Sequence, residues 1–114
     1  MGRERRGPPR PVPGADLILR RKPFAQLIDR QLELVALDDG DLLEDVEARR
    51  LDYASADRED AEEAFGDYQL ALEALKDRLT EIRDAYARTL ADPEEYERAF
   101  ERAAVRRWPD IEAV

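Results

Sequence analysis

The residues Ala61, Phe65, Tyr68, Leu72, Leu75, Leu79, Ile82, Tyr86 and Thr89 are spaced by alternating steps of four and three, without a slip over four heptads. A 3.5-residue repeat of this length describes a helix buried along one seam, the pattern of a coiled coil. Running over about residues 58–90, such a helix is ~50 Å long at 1.5 Å per residue. A helix of that length needs neighbours, and the flanking sequence supplies two.

Upstream, Pro23 suits the first position of a helix. Phe24, Leu27, Ile28, Leu32, Val35, Leu42, Val46 and Tyr53 then recur at helical spacings. Asp38-Asp39-Gly40-Asp41 interrupts this stripe, and Asp39 falls where an apolar residue is due. Two readings compete: a break into two helices, or one helix of about thirty residues in which Gly costs ~1 kcal/mol relative to Ala. Ile28, Val35 and Leu42 stay seven apart across the interruption, and this phase favours the continuous helix. The turn is placed at Ala54-Ser55-Ala56-Asp57, with Ser55 or Asp57 as cap of the long helix. Downstream, Asp92-Pro93-Glu94-Glu95 predicts a helix start, with Asp92 as N-cap and Pro93 as the first helical residue. This third helix carries Tyr96, Phe100, Ala103, Ala104 and Trp108 on one face and is stopped by Pro109. Residues 110–114 are expected to fray.

The fold class expected is all-α: a long antiparallel helical hairpin, coiled-coil-like, plus a short third helix folded over the end away from the turn. Residues 23–114 form the helical domain and residues 1–22 a disordered tail and bridge. Four Pro and three Gly among residues 1–14 deny that segment a core. Charged residues are 41% and aromatics 7%, which fits thin helical packing with most positions wet. The charge is divided along the chain. Residues 1–22 hold seven basic residues against two acids, net +5, so residues 23–114 carry −14 of the total −9.

With no Cys and no His, disulfides, structural zinc, cysteine nucleophiles and imidazole acid–base chemistry are all excluded. Acidic residues leave one metal-dependent reading. Glu59-x-x-Glu62 followed by Glu81-x-x-Asp84 resembles the paired acidic motifs of the all-α nucleoside triphosphate pyrophosphatases, and that resemblance implies magnesium held by these four side chains. Both pairs lie on the one predicted helix, however, ~37 Å apart from first to last at helical rise. With 28 acids in the chain, an exposed solvated face is the preferred reading. Asp38-Asp39-Gly40-Asp41 lacks the alternating ligands and final Glu of a calcium loop. Ile28-Asp29-Arg30 is distantly similar to the first helix of all-helical chorismate mutases, for which Arg49 or Arg50 could face a dianion, but no Lys shares that face. Tyr53-x-x-x-Asp57 resembles the tail signal of the small secreted WXG-type hairpins, but it sits at the turn, where their Trp-x-Gly is missing. No catalytic residue, cofactor or metal is therefore assigned.

What remains is contact chemistry. The candidate partner contacts are Arg3, Arg5, Arg6, Arg10, Arg20, Arg21 and Lys22 in the tail, and Trp108 at the end of the third helix. The tail has no interleaved aromatic, so base stacking is unsupported; nucleic acid or an anionic membrane is reached only through it, if at all. Pro8 to Pro13 offers a polyproline ligand. A short third helix leaves part of the apolar stripe bare, which predicts a homodimer or a partner helix. The function expected is a helical interaction or scaffold protein, with a tail-mediated regulator second and a small metal-dependent enzyme third. A cytoplasmic location is expected from the absence of Cys and of any apolar run near ~20 residues.

Overall fold

The structure is a computed structural model that describes residues 23–114. The expectation for residues 1–22 lies outside the described residues. The architecture is all-α. Four helices, α1 (Ala25–Asp38), α2 (Gly40–Ser55), α3 (Ala61–Ala87) and α4 (Glu94–Arg107), are followed by a 3₁₀ turn over Pro109–Ala113, with no strand among the described residues. No described helix is long and apolar enough to cross a membrane.

The first expected helix is not continuous. It divides at Asp39, whose backbone (φ −114°, ψ 37°) leaves the helical region for one residue. The ladder bridges the break: the Asp39 N–H donates to Val35 O at 2.9 Å, and the Leu43 N–H donates to Asp39 O at 3.1 Å. The break has a charged partner. Asp39 lies on the apolar stripe because Arg78 of α3 reaches across and donates its Nε–H to Asp39 Oδ2 at 3.0 Å. Gly40, where the break was weighed, has an ordinary φ and open space around it.

The helix ends also differ in detail from the sequence reading. Residues 23–24 form a turn, and α1 begins at Ala25. Ser55 closes α2 instead of opening α3: its hydroxyl donates to Leu51 O at 2.9 Å, and Ala56 turns extended. Asp60 precedes α3 without a side-chain cap, and Glu62 and Glu63 supply the acid in the first turn that the helix dipole favours. Pro93 sits just before α4, which starts at Glu94.

α3 is the spine, and different neighbours cover its two halves. α2 lies along the first half in the opposite sense, as successive contacts show: Tyr53 against Phe65 (5.2 Å between rings), Arg49 near Asp67 (3.9 Å), Asp39 on Arg78. α4 packs back along the second half, from Tyr96 against Tyr86 (4.9 Å), and the 3₁₀ turn carries the cover on into the first half, where Asp110 meets Tyr68. α1 closes the same end against α4. The base so formed is centred on Tyr96, which is fully buried against Phe24, Tyr86 and Phe100 and donates its hydroxyl to Gln31 Oε1 at 2.9 Å. Having two neighbours widens the buried stripe of α3. Ala71 and Ala87, off the heptad seam, are buried along with Tyr68, Leu72, Leu75 and Leu79. The residues after Pro109 do not fray; Ile111 is buried, and the Tyr68 hydroxyl donates to Asp110 Oδ2 at 2.6 Å. The result is an elongated body built along α3, whose 27 residues span ~40 Å.

Leu75 is fully buried where both neighbours meet α3, so Leu75→Ala is expected to cost about 3 kcal/mol in denaturant unfolding. Gly66 lies inside α3 with nothing within 4 Å of an added Cβ. Gly66→Ala is expected to stabilise by about 0.5–1 kcal/mol, read as a higher midpoint at unchanged slope. Burial first, and then the Asp110 carboxylate, push the Tyr68 phenol up to about 12. A phenol raised above its ordinary value of 10 holds its proton more tightly in the folded chain. Its contribution to stability is therefore complete below pH 10 and lost as pH rises towards 12. Thermal melts taken from pH 9 upward should fall through that window, and Tyr68→Phe should flatten part of the fall.

Candidate interaction surface

The arm is the portion of the rod that α4 does not reach: α2 and the first turns of α3, over residues 40–67. α2 buries a single side chain, Val46. At the far end of the arm the Tyr53 and Phe65 rings lie tilted against each other, and Tyr53 also stacks on Tyr68 at 6.3 Å, yet Tyr53 and Phe65 are each 40% exposed; Leu51, 52% exposed, points away from them on the other side of α2. The sequence reading counted Tyr53 and Phe65 as stripe residues. They do hold the stripe's register, but no third element covers them. Aromatic side chains half in water are the kind that anchor protein contacts, because they bury much area while losing few rotamers.

This apolar tip sits in a concentrated field. Residues 40–67 hold eleven acids and three arginines, a net charge of −8, more than half of the −14 carried by residues 23–114. Two of the three arginines already face carboxylates of the arm: Arg50 donates to Glu47 at 2.6 Å, and Arg49 lies 3.4 Å from Asp45. The rest of the described chain carries −6 over 64 residues, about a third of that density. Leu34, Leu37 and Leu70 are also exposed, and single leucines of this kind are ordinary on a protein surface.

Of the candidate contacts read from the sequence, Arg3, Arg5, Arg6, Arg10, Arg20, Arg21 and Lys22 lie outside the described residues. Trp108 is half-buried at the end of α4, packed against the core, with the Arg107 guanidinium 5.3 Å from its ring centre. Its N–H donates to Ala104 O at 2.8 Å and its carbonyl accepts the Ile111 N–H at 3.1 Å, so it joins α4 to the 3₁₀ turn.

The acids that resemble a magnesium site are not brought together. Glu59 and Glu62 are exposed at the tip, while Glu81 takes Arg78 at 3.2 Å and Asp84 takes Arg83 at 2.9 Å near the base. Among the described residues no three acids converge as metal ligands. Two clefts of about 340 Å³ flank α4. In the one against α3, the charged groups are engaged: Arg83 with Glu101 at 2.5 Å, Lys76 with Val114 O at 2.9 Å. Neither cleft sets a nucleophile beside a base. The chemistry that the described surface offers is apolar anchoring inside a negative field. Comparison with protein-family models, with curated proteins and with solved structures finds no match.

Proposed function

We propose that this chain is a helical interaction protein of the cytoplasm, a hairpin whose acidic arm presents Tyr53 and Phe65 to a partner. The single observation that carries the reading is the pairing of two half-exposed aromatic rings with a net charge of −8 on 28 residues. Water-facing apolar side chains lower the free energy of association when they are covered, by about 25 cal/mol per Å² removed from water. The surrounding carboxylates select which partner covers them. A basic, apolar segment is attracted and steered, whereas an acidic one is repelled. Nucleic acid and anionic membrane are disfavoured at this end of the molecule for the same reason. The absence of cysteine fits a reducing compartment.

A photo-crosslinking phenylalanine analogue placed at position 65 tests the reading in cells producing the full chain. One discrete adduct is expected. It should be lost when Tyr53→Ser removes the neighbouring anchor, with the circular dichroism of the chain unchanged. The same analogue at the exposed Glu73 should give no adduct. A folded protein that yields no adduct from position 65, or equal adducts from both positions, overturns the reading.

A further inference from the structure

Building on the arm as a binding surface, we infer that its occupant is the segment Leu17-Ile18-Leu19-Arg20-Arg21-Lys22 of a second copy of this chain, in a reciprocal head-to-tail dimer. The segment has the complementary chemistry: three consecutive apolar residues followed by three consecutive cations. It is the one apolar run within the +5 region, and the arm tip is where exposed aromatic rings meet the densest negative charge.

Reach decides between the chain's own segment and that of another copy. Residue 23 adjoins Phe24, whose ring lies 5.4 Å from Tyr96, and Tyr96 lies 4.9 Å from Tyr86. The exit point of residues 1–22 is therefore at the base, beside the last turns of α3. Phe65 is twenty-one residues away along that helix, ~32 Å at 1.5 Å per residue. Six residues preceding Pro23 span at most about 20 Å even when fully extended. The chain's own Leu17–Lys22 falls short of its own tip. Its own Arg3–Arg10 lies far enough out to reach, but that stretch has no apolar run to cover Tyr53 and Phe65.

A second rod laid antiparallel beside the first removes the difficulty. Its base lies next to the first copy's tip, and its tip next to the first copy's base. Because the tip-to-exit separation is the same in both copies, one two-fold axis midway along the pair forms both contacts at once. Each −8 arm then faces a +5 tail, whereas a parallel pairing would set the two arms against each other.

The experiment uses the full chain at high micromolar concentration in low salt, with mass measured by light scattering. Twice the 13.1 kDa chain mass is expected, falling to the single chain at about 1 M salt, where the Debye length is ~3 Å. One variant carries Arg20→Glu, Arg21→Glu and Lys22→Glu. The other carries Asp52→Lys, Asp57→Lys and Glu59→Lys, all exposed and all outside the first turn of α3. Each variant alone should dimerise at least about tenfold more weakly. Mixed in equal amounts, the two should regain the dimer, because in the antiparallel pair the reversed tail of one variant meets the lysine-bearing tip of the other, while the other's native tail meets a native arm. Helical content by circular dichroism confirms that each variant folds. A wild-type monomer, a dimer indifferent to both sets of reversals, or a mixture that stays monomeric overturns the inference. If the wild type is monomeric but position 65 still gives a discrete adduct with another protein, only the choice of occupant is wrong. If position 65 gives no adduct, the binding surface falls with it.

Discussion

Helix length is the constraint on which the rest depends. α3 has 27 residues, ~40 Å of helix, while α2 and α4 have 16 and 14. Neither neighbour can cover α3 alone, and the two divide it. α4 doubles back over the second half, where α1 also arrives, so that three helices and the 3₁₀ turn surround Leu79, Tyr96 and Phe100. Before Tyr68, which Asp110 reaches, α3 has α2 alone. A helix with one neighbour can hide one stripe, and at the free end even that stripe is only half hidden. The extended shape, the thin arm and its wet aromatic rings all follow from this division.

Polar pairs mark the seams between the parts. Asp39 and Arg78 sit where α1 gives way to α2, and they permit a one-residue break in the helix without leaving a carboxylate alone on an apolar stripe. Tyr68 and Asp110 sit where the C-terminal turn ends its cover of α3. The arm begins beyond these two pairs. The partly exposed Asp39–Arg78 ion pair adds at most about 1 kcal/mol, the Tyr68–Asp110 hydrogen bond about 1.5–3 kcal/mol, and both fix how far each neighbour runs along the spine.

Much of this was legible in the sequence. The four-and-three spacing from Ala61 to Thr89 announced the spine, and Pro23, the 54–57 turn and Pro93 divided the chain within a few residues of the observed ends. The misses share one cause, since periodicity describes a helix by itself while burial depends on what lies beside it. Phe65 and Tyr53 have the correct phase but no cover. Ala71 and Ala87 have the wrong phase for a seam but gain a second neighbour. Asp39 looked like a flaw within one continuous helix because Arg78, thirty-nine residues away in sequence, is not visible in a local pattern. Asp110 and Ile111 read as a loose end for the same reason. The half-exposed aromatic pair at the tip was least legible, because a residue stranded at the end of the arm and a residue in the core have the same spacing.

The single buried side chain of α2 also sets how the molecule breathes. Elements with few buried contacts open at low free energy, well before the whole chain unfolds. Backbone amides along the arm should then exchange with solvent through local opening, while those around Tyr96 wait for global unfolding. A partner that covers Tyr53 and Phe65 would also hold closed a segment that opens on its own. Part of the contact energy is spent on that ordering, which lowers affinity without lowering selectivity. Such a surface suits an association that is made and released repeatedly, and its lifetime would be governed as much by the fluctuations of one thin helix as by the contacts themselves.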